Sequence, residues 1–516
     1  MPTGPVAFNN TPSDVLVPAY MVEFNAGPPS YAGTSRQIVL GRALAGSPAA
    51  LAGVPVNVGG QNPNAICGYG SMGAEQLLYA RRRNPIGEMY FLDVGAPASS
   101  PQASAGAIAF GGTATSSGTI VRYIGGERYS VNVATGDTGA TIAAAFAAAV
   151  ARGYTKFSTR MLAAVAAAVD GTVTSKVNLT ARHAGTETNA LRIEAGLDGD
   201  ETEVTGITVT ITAMAGGTGD IDMAATLAKL GAQPYDWMCG PYNTASQLDA
   251  MRDFLADSGN GRSAPLVGLL GHYTTHKEGN LSTLTAFGQT RNDRHVTVAG
   301  TYQWPQAPWC ISAALGGEIA FLKNLGRSLA TAVEIARPMQ TRVLEGLRPP
   351  KDPNAIFAKA DRDSLLRNGI STFTVTAGNQ VACDRIVTSY LTNPAGLSDR
   401  TWLDIEDIAT AAYAARYFRT KLLGTYPRCV FMEDNPANLQ GVVTPADLEG
   451  TSVHAATDLN RAGLIRQLDL FVANIRIFPD YANDRANFYL PLTAAAQLRI
   501  FAVNQTSFLD QATAGI

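Results

Sequence analysis

Two periodicities alternate along the chain between residues 36 and 300. Runs of near-continuous or alternating apolar residues predict strands at 36–41 (RQIVLG), 88–94 (EMYFLDV), 235–242 (YDWMCGPY), 264–273 (APLVGLLGHY) and 294–300 (RHVTVAG). Apolar residues recurring every three or four positions predict helices between them, at 71–83, 222–232, 245–259 and 281–291. Strand and helix in turn imply a parallel sheet with helices on its faces.

The alternation breaks between 101 and 219, in a stretch that opens with APASSPQASAG and closes with AGGTGD. Inside it, strand-like runs lie at 118–126, 127–135, 172–181, 189–195 and 206–213. Two Ala-rich runs, 141–150 and 159–169, read as helices. This is a β-rich α+β module inserted into the α/β part, with its ends close together, and it is expected to stand off the outer surface.

Beyond residue 301 the pattern changes again. Residues 306–333 and 353–369 read as helices, the first with Gly and Ala at close-packing positions. A hairpin follows: ISTFTVTA, a Gly378-Asn379 turn, then QVACDRIVTSY, with Phe373, Val375 and Ala377 alternating with threonines. A long helix over 400–423 has Ile405, Ile408, Ala412, Ala415, Phe418 and Leu422 at helical spacing and Ser398 as its cap. Another helix spans 444–465 with Thr444 as cap and Pro445 in its first turn. Strands are expected at 468–478, 486–492 and 498–510, and both LDLFVANIRIF and LRIFAVNQTSFLD read as extended throughout. At the other end, Pro2, Pro5, Pro12, Pro18, Pro28 and Pro29 exclude a helix over residues 1–30, while VLV and AYMVEF form short extended pieces. Those apolar residues would face water on an isolated chain, so this arm is expected to add strands to another chain. The units read from the pattern are therefore an arm at 1–30, an α/β domain at 31–100 and 220–300, the insertion at 101–219, a C-terminal α+β domain at 301–497, and a terminal strand at 498–516.

Composition narrows the function classes. Of 516 residues 46% are apolar and 16% charged, and the net charge is −3, so no basic face for nucleic acid is indicated. No apolar run reaches membrane-spanning length, and MPTGPVAFNN lacks the features of a signal peptide, so the expected location is the cytoplasm or a particle assembled there. Cys67, Cys239, Cys310, Cys383 and Cys429 are scattered, without the paired spacing of a zinc or redox motif; reduced core thiols are the simple reading, bonds between subunits the sharper one.

Candidate chemistry is sparse. Gly68, Gly70 and Gly73 spell G-x-G-x-x-G before a helix, with Asp93 about twenty residues on, as in dinucleotide-binding sheets. The lead-in GGQNPNAIC is not the hydrophobic strand that fingerprint needs, so a tight loop and helix cap is the competing reading. Ser71 has Tyr69 two positions before it, which breaks the G-x-S-x-G elbow. His183, His272, His276, His295 and His454 lie in no triad-like setting, and His272 and His276, in GHYTTHKEGN, read as solvated loop residues without a third metal ligand. The run Arg81–Arg83 reads as a dipole partner at a helix end, and Asp361, Arg362 and Asp363 as a solvated face. No catalytic, cofactor or metal residue is assigned.

Two stretches carry a family resemblance. The order of hairpin, RIVTSY and long helix within 369–423 resembles the C-terminal domain of contractile tail sheath proteins, in their Mu-like branch. YGSMGAEQLLYARRRNPIGEMYFLDV resembles the same family's helix start, R-x-N-P and following strand. The resemblance implies a non-enzymatic virion subunit whose α/β part is subtilisin-like in fold. It would stack as six-membered rings around a tail tube, with the C-terminal domain facing the tube and the insertion facing outward. Its partners would be copies of itself, the tube protein, and baseplate and terminator proteins, with no cofactor, nucleic acid or membrane. The two ends would add strands to neighbouring copies: Val15, Val17, Tyr20, Val22 and Phe24 from the arm, and Arg499, Phe501, Val503 and Phe508 from the last strand. Phe373 and Val375 would lie in the acceptor, somewhere in 370–390. Another virion component, of baseplate or surface-layer type, and an oxidoreductase using the Gly68–Gly73 loop are the alternatives.

Overall fold

The computed structural model describes residues 35–505, apart from 86, 99 and 200. Val15, Val17, Tyr20, Val22 and Phe24 of the expected arm, and Phe508 at the other end, lie outside the described residues.

The expected parallel sheet is present, with eight strands. From one edge its order is Val381–Arg385, Ile370–Val375, Val296–Thr301, His272–Glu278, Trp237–Cys239, Arg36–Gly41, Glu88–Asp93 and Val56–Asn57. Only the two outermost strands run antiparallel to their neighbours. Alternation along the central strand sorts the core into two layers. Ile38 and Leu40 face helices Met223–Ala228, Ala245–Leu255 and Leu281–Gln289, meeting Leu227, Leu248, Met251 and Leu284. Val39 and Phe91 face the other way, onto helices Met72–Arg83 and Pro308–Leu325. These two helices cross closely because Gly317 lies against the backbone of Ala80, where a Cβ would come within 2.4 Å of a carbonyl oxygen.

Several sequence readings are corrected. The strand expected at 264–273 begins only at His272, and GHYTTHKEGN, read as loop, is the interior strand His272–Glu278. Both histidines are buried, not solvated. The Ala-rich run 159–169 is two strands, Thr159–Met161 and Val165–Val169, the second paired with Lys176–Ala184. Residues 468–478, read as one strand, are a helix, Leu468–Asn474, and a strand, Arg476–Asp480. The hairpin forms with a three-residue loop in which Asn379 alone takes positive φ (56°). It extends the large sheet, so residues 302–389 pack in one layered body with the α/β part, across the boundary expected at 301.

The insertion is a module closed at its neck by paired main-chain bonds between Gln102 and Thr218, 3.1 and 3.2 Å. A four-stranded antiparallel sheet and a three-stranded one enclose helix Gly139–Arg152, whose Phe146 meets Phe110. The module does not stand off: its apolar core is continuous with that of the body. C-terminal to the hairpin, the long helix spans Ile405–Thr425 with Asp404, not Ser398, at its cap. Helix Pro445–Arg461 packs on it, Tyr417 donating to Asp458 at 2.6 Å. Thr444 caps that second helix reciprocally with Asp447, as the sequence indicated.

Candidate assembly site

In a sheet of this topology the strand order reverses where Arg36–Gly41 meets Trp237–Cys239, and a crevice at the strands' C-terminal ends is the usual ligand seat. Here the inserted module covers part of it, and a cavity of about 230 Å³ remains between Glu187, Tyr242, Asn243 and His276. Arg42 donates to the carbonyl of Ala184 and lies 3.8 Å from Glu187, both side chains buried, so the module's turn at 185–190 sits over the switch point. Burial pushes the Glu187 carboxyl up to about 7. The Gly68–Gly73 loop is covered in the same way. The amide of Met72, at the first turn of its helix, donates to His183 Nε2 at 3.2 Å, and a Cβ on Gly70 would meet the Arg182 side chain. The helix N-terminus that would face a pyrophosphate faces an imidazole, held neutral because burial drives its pKa down to about 3.

The other histidines take structural roles. His272 Nε2 meets Thr297 Oγ1 at 2.8 Å and His276 Nε2 meets Thr301 Oγ1 at 2.6 Å, across the same strand pair. Burial lowers both to about 3, and among the described residues neither Nδ1 has a hydrogen-bond partner, so neither is oriented there as a triad base would be. Among the described residues no group of three metal-ligating side chains converges.

Buried charge instead joins the parts of the molecule. Glu75 accepts from Tyr154 of the module at 2.9 Å and from Trp309 of the body at 2.8 Å, and burial pushes its carboxyl up to about 7. Tyr79 and Lys156 both donate to Glu127, at 2.9 and 2.8 Å. Glu318, fully buried, bridges Arg83 and Arg342 at 2.8 and 2.6 Å. Arg83 is thus a buried-carboxylate partner, not only a dipole partner, and Arg362 pairs with Asp384 on the hairpin.

The surfaces left open lie towards the C-terminus. Strands Arg476–Asp480 and Arg485–Tyr489 form a two-stranded ribbon; neither has a second ladder partner among the described residues. Phe478 and Tyr489 project from it exposed, and Tyr481 at its turn packs on Phe431. After it, residues 498–505 run with no assigned strand, Leu498, Ile500, Phe501 and Val503 exposed, the last two at 78% and 83%. An isolated two-stranded ribbon is marginal in water, and an exposed apolar extended segment is a strand without a sheet.

The expected intersubunit residues divide accordingly. Phe501 and Val503 are exposed. Arg499 is an internal anchor: its Nη2 lies 3.2 Å from Asp404 and 3.0 Å from the fully buried Glu406. Phe373 is buried against Trp304 and Val375 is half-buried. The far side of their hairpin is covered by residues 341–344, whose main chain bonds to Val381 and Cys383 at 2.8–2.9 Å. Sequence reasoning found both ribbon segments as apolar runs but not their pairing. The signal was present in YANDR, where Asp484 takes positive φ (51°) between them.

A family model described as the phage tail sheath protein central domain matches residues 216–389. The chain is 28% identical over 506 residues to the Mu-like prophage FluMu tail sheath protein of Haemophilus influenzae, a match covering 96% of this chain and 98% of that one. Among solved structures it is similar to a sheath tail protein of Listeria innocua (11% identity, 90% and 93% of the two chains, TM-score 0.45). It is likewise similar to the anti-feeding prophage helical sheath in its contracted state (11% identity, 96% and 100% covered, TM-score 0.45).

Proposed function

We propose that the chain is a structural protein of a contractile tail, of the phage tail sheath kind that the family model over residues 216–389 and the 28%-identical prophage relative support, and that its copies stack as six-membered rings around a tail tube, joined by exchange of their ends. The observation that carries this reading is a donor and an acceptor left unmatched among the described residues of one copy. Residues 498–505 expose four large apolar side chains, while the ribbon Arg476–Asp480 and Arg485–Tyr489 offers free edges. Strand addition between copies satisfies both, largely through main-chain bonds at about 0.5–1.5 kcal/mol net each. The ribbon suits the acceptor role better than the 370–390 hairpin, whose outer edge residues 341–344 already cover. The arm, with Val15 to Phe24, is the second donor in this reading.

Contraction follows from the division between rigid and linking parts. The sheet, the two helix layers and the docked module move as a body, and the exchanged strands act as hinges. Work comes from contacts formed between bodies in the short state, not from nucleotide hydrolysis; the Gly68–Gly73 helix start, whose Met72 amide is taken by His183, supports that division of labour. Tube, baseplate and tail terminator are the partners, and the tube is driven through the host envelope after assembly in the host cytoplasm. Electron microscopy of the purified chain tests the assembly. Hollow helical tubes are expected; discrete particles of fixed size contradict it.

A further inference from the structure

The cavity left at the switch point, about 230 Å³, takes its walls from both parts of the molecule. The module's turn contributes Thr186 and Glu187. The sheet contributes His276, Lys277 and Glu278 at the end of their strand, and Thr244 stands at the N-terminus of helix Ala245–Leu255. The volume lies below the roughly 300–1,000 Å³ of sites for drug-sized ligands, so it suits a smaller molecule.

Three of these polar groups are unmet among the described residues. The Glu187 side chain is only 6% exposed, and its Oε1 accepts no hydrogen bond. Arg42, 3.8 Å away, donates instead to the carbonyl of Ala184. His276 is 1% exposed; its Nε2 meets Thr301, and its Nδ1 has no partner. Lys277 Nζ donates to Asn243 Oδ1 at 3.1 Å, with no carboxylate at ion-pair distance, and burial lowers its pKa. Glu278 beside it is already held by Arg192 at 3.4 Å. Buried polar groups in native proteins are almost always paired, so this set points to a molecule that pairs with them.

The charges select its chemistry. A simple anion would satisfy Lys277 and leave Glu187 unmet; a simple amine would do the reverse. A metal ion lacks a converging set of three ligands among the described residues. A molecule carrying an ammonium and a carboxylate a few bonds apart meets both, and the helix N-terminus favours the carboxylate at the Lys277 side. We propose that this cavity binds a compact free amino acid, its ammonium on Glu187 and its carboxylate between Lys277 and the N-terminus of helix Ala245–Leu255. His276 Nδ1 adds a donor or an acceptor, according to its tautomer. A bound molecule ties the module's turn to the end of the sheet. The site lies within one copy and is independent of how copies join.

Equilibrium dialysis of the full-length chain against radiolabelled glycine, L-alanine and L-serine tests it. At least one is expected to bind at millimolar concentration, one molecule per chain. Propionate and ethylamine, each carrying one of the two charges, are expected to compete at least tenfold more weakly. Glu187→Gln and Lys277→Met should each weaken binding at least tenfold, and Thr186→Trp, which fills the cavity from its exposed rim, should abolish it, all with an unchanged circular dichroism spectrum. Binding of none of the three amino acids overturns the proposal. So does competition by propionate or ethylamine as strong as that of the amino acid, a readout on the wild-type chain that needs no variant to fold. Binding that survives all three substitutions lies elsewhere on the surface and overturns it too.

Discussion

At the scale of the residue, buried charge sets the most testable energies. Arg499 lies between Asp404, which also takes both nitrogens of Arg385 at 2.7–2.8 Å, and Glu406, which accepts the Met339 amide at 2.9 Å. Removing one partner leaves a buried carboxylate uncompensated, so Arg499→Ala is expected to cost on the order of 3 kcal/mol, measured by urea unfolding. Arg385 still holds Asp404, so the loss falls chiefly on Glu406. A change below about 0.5 kcal/mol would show that the pair is solvated. Glu75 makes a claim with a definite sign. Burial raises its carboxyl from 4.5 to about 7, so the native state holds a proton that the unfolded chain releases. Its contribution is therefore full below pH 4.5, declines as pH rises to about 7, and is flat above. Wild type is expected to lose on the order of 3 kcal/mol relative to Glu75→Gln between pH 4.5 and 8, since each unit is worth about 1.36 kcal/mol. Parallel stability curves for the two proteins would sink this.

At the scale of the element, the ribbon Arg476–Asp480 and Arg485–Tyr489 separates folding from assembly. Phe478 and Tyr489 are exposed, so Phe478→Asp with Tyr489→Asp should change stability by no more than about 0.5 kcal/mol per site. The same pair is expected to abolish polymerisation followed by light scattering. Normal polymers from this variant would mean that copies join elsewhere. Elements also differ in how legible they are in sequence. Strands flanked by turn residues and helices with clear caps, such as Thr444 with Asp447, read correctly because local chemistry and tertiary packing agree. The strand His272–Glu278 was hidden because its polar residues suggested solvent, whereas the buried Nε2 atoms of His272 and His276 meet Thr297 and Thr301 on the next strand. Val165–Val169 was hidden because alanine favours helix, and pairing with Val177–Ala181 overrides that preference. The ion pairs of Arg499 and the hydrogen bonds of Glu75 join residues 79 or more apart in sequence, which no local pattern encodes.

At the scale of the whole molecule, the described residues join the inserted module to the α/β sheet through a shared apolar core. The module's core is continuous with the sheet's helix layer, and Glu75, Glu127 and His183 add polar bonds across the joint. Among the described residues, the ribbon's outer edges have no ladder partner, and residues 498–505 carry exposed apolar side chains. The central claim, that the terminal segment of one copy pairs with the ribbon of the next, is tested most directly by disulfide trapping. In a Cys429→Ser background, which removes the exposed native thiol, cysteines are placed singly along 500–503 and along 477–488 and combined pairwise. Oxidised polymers are predicted to give a ladder of covalent multimers for at least one register and none for unassembled chain. Polymers that yield only bonds within single chains, or no bonds in any register, would contradict the account.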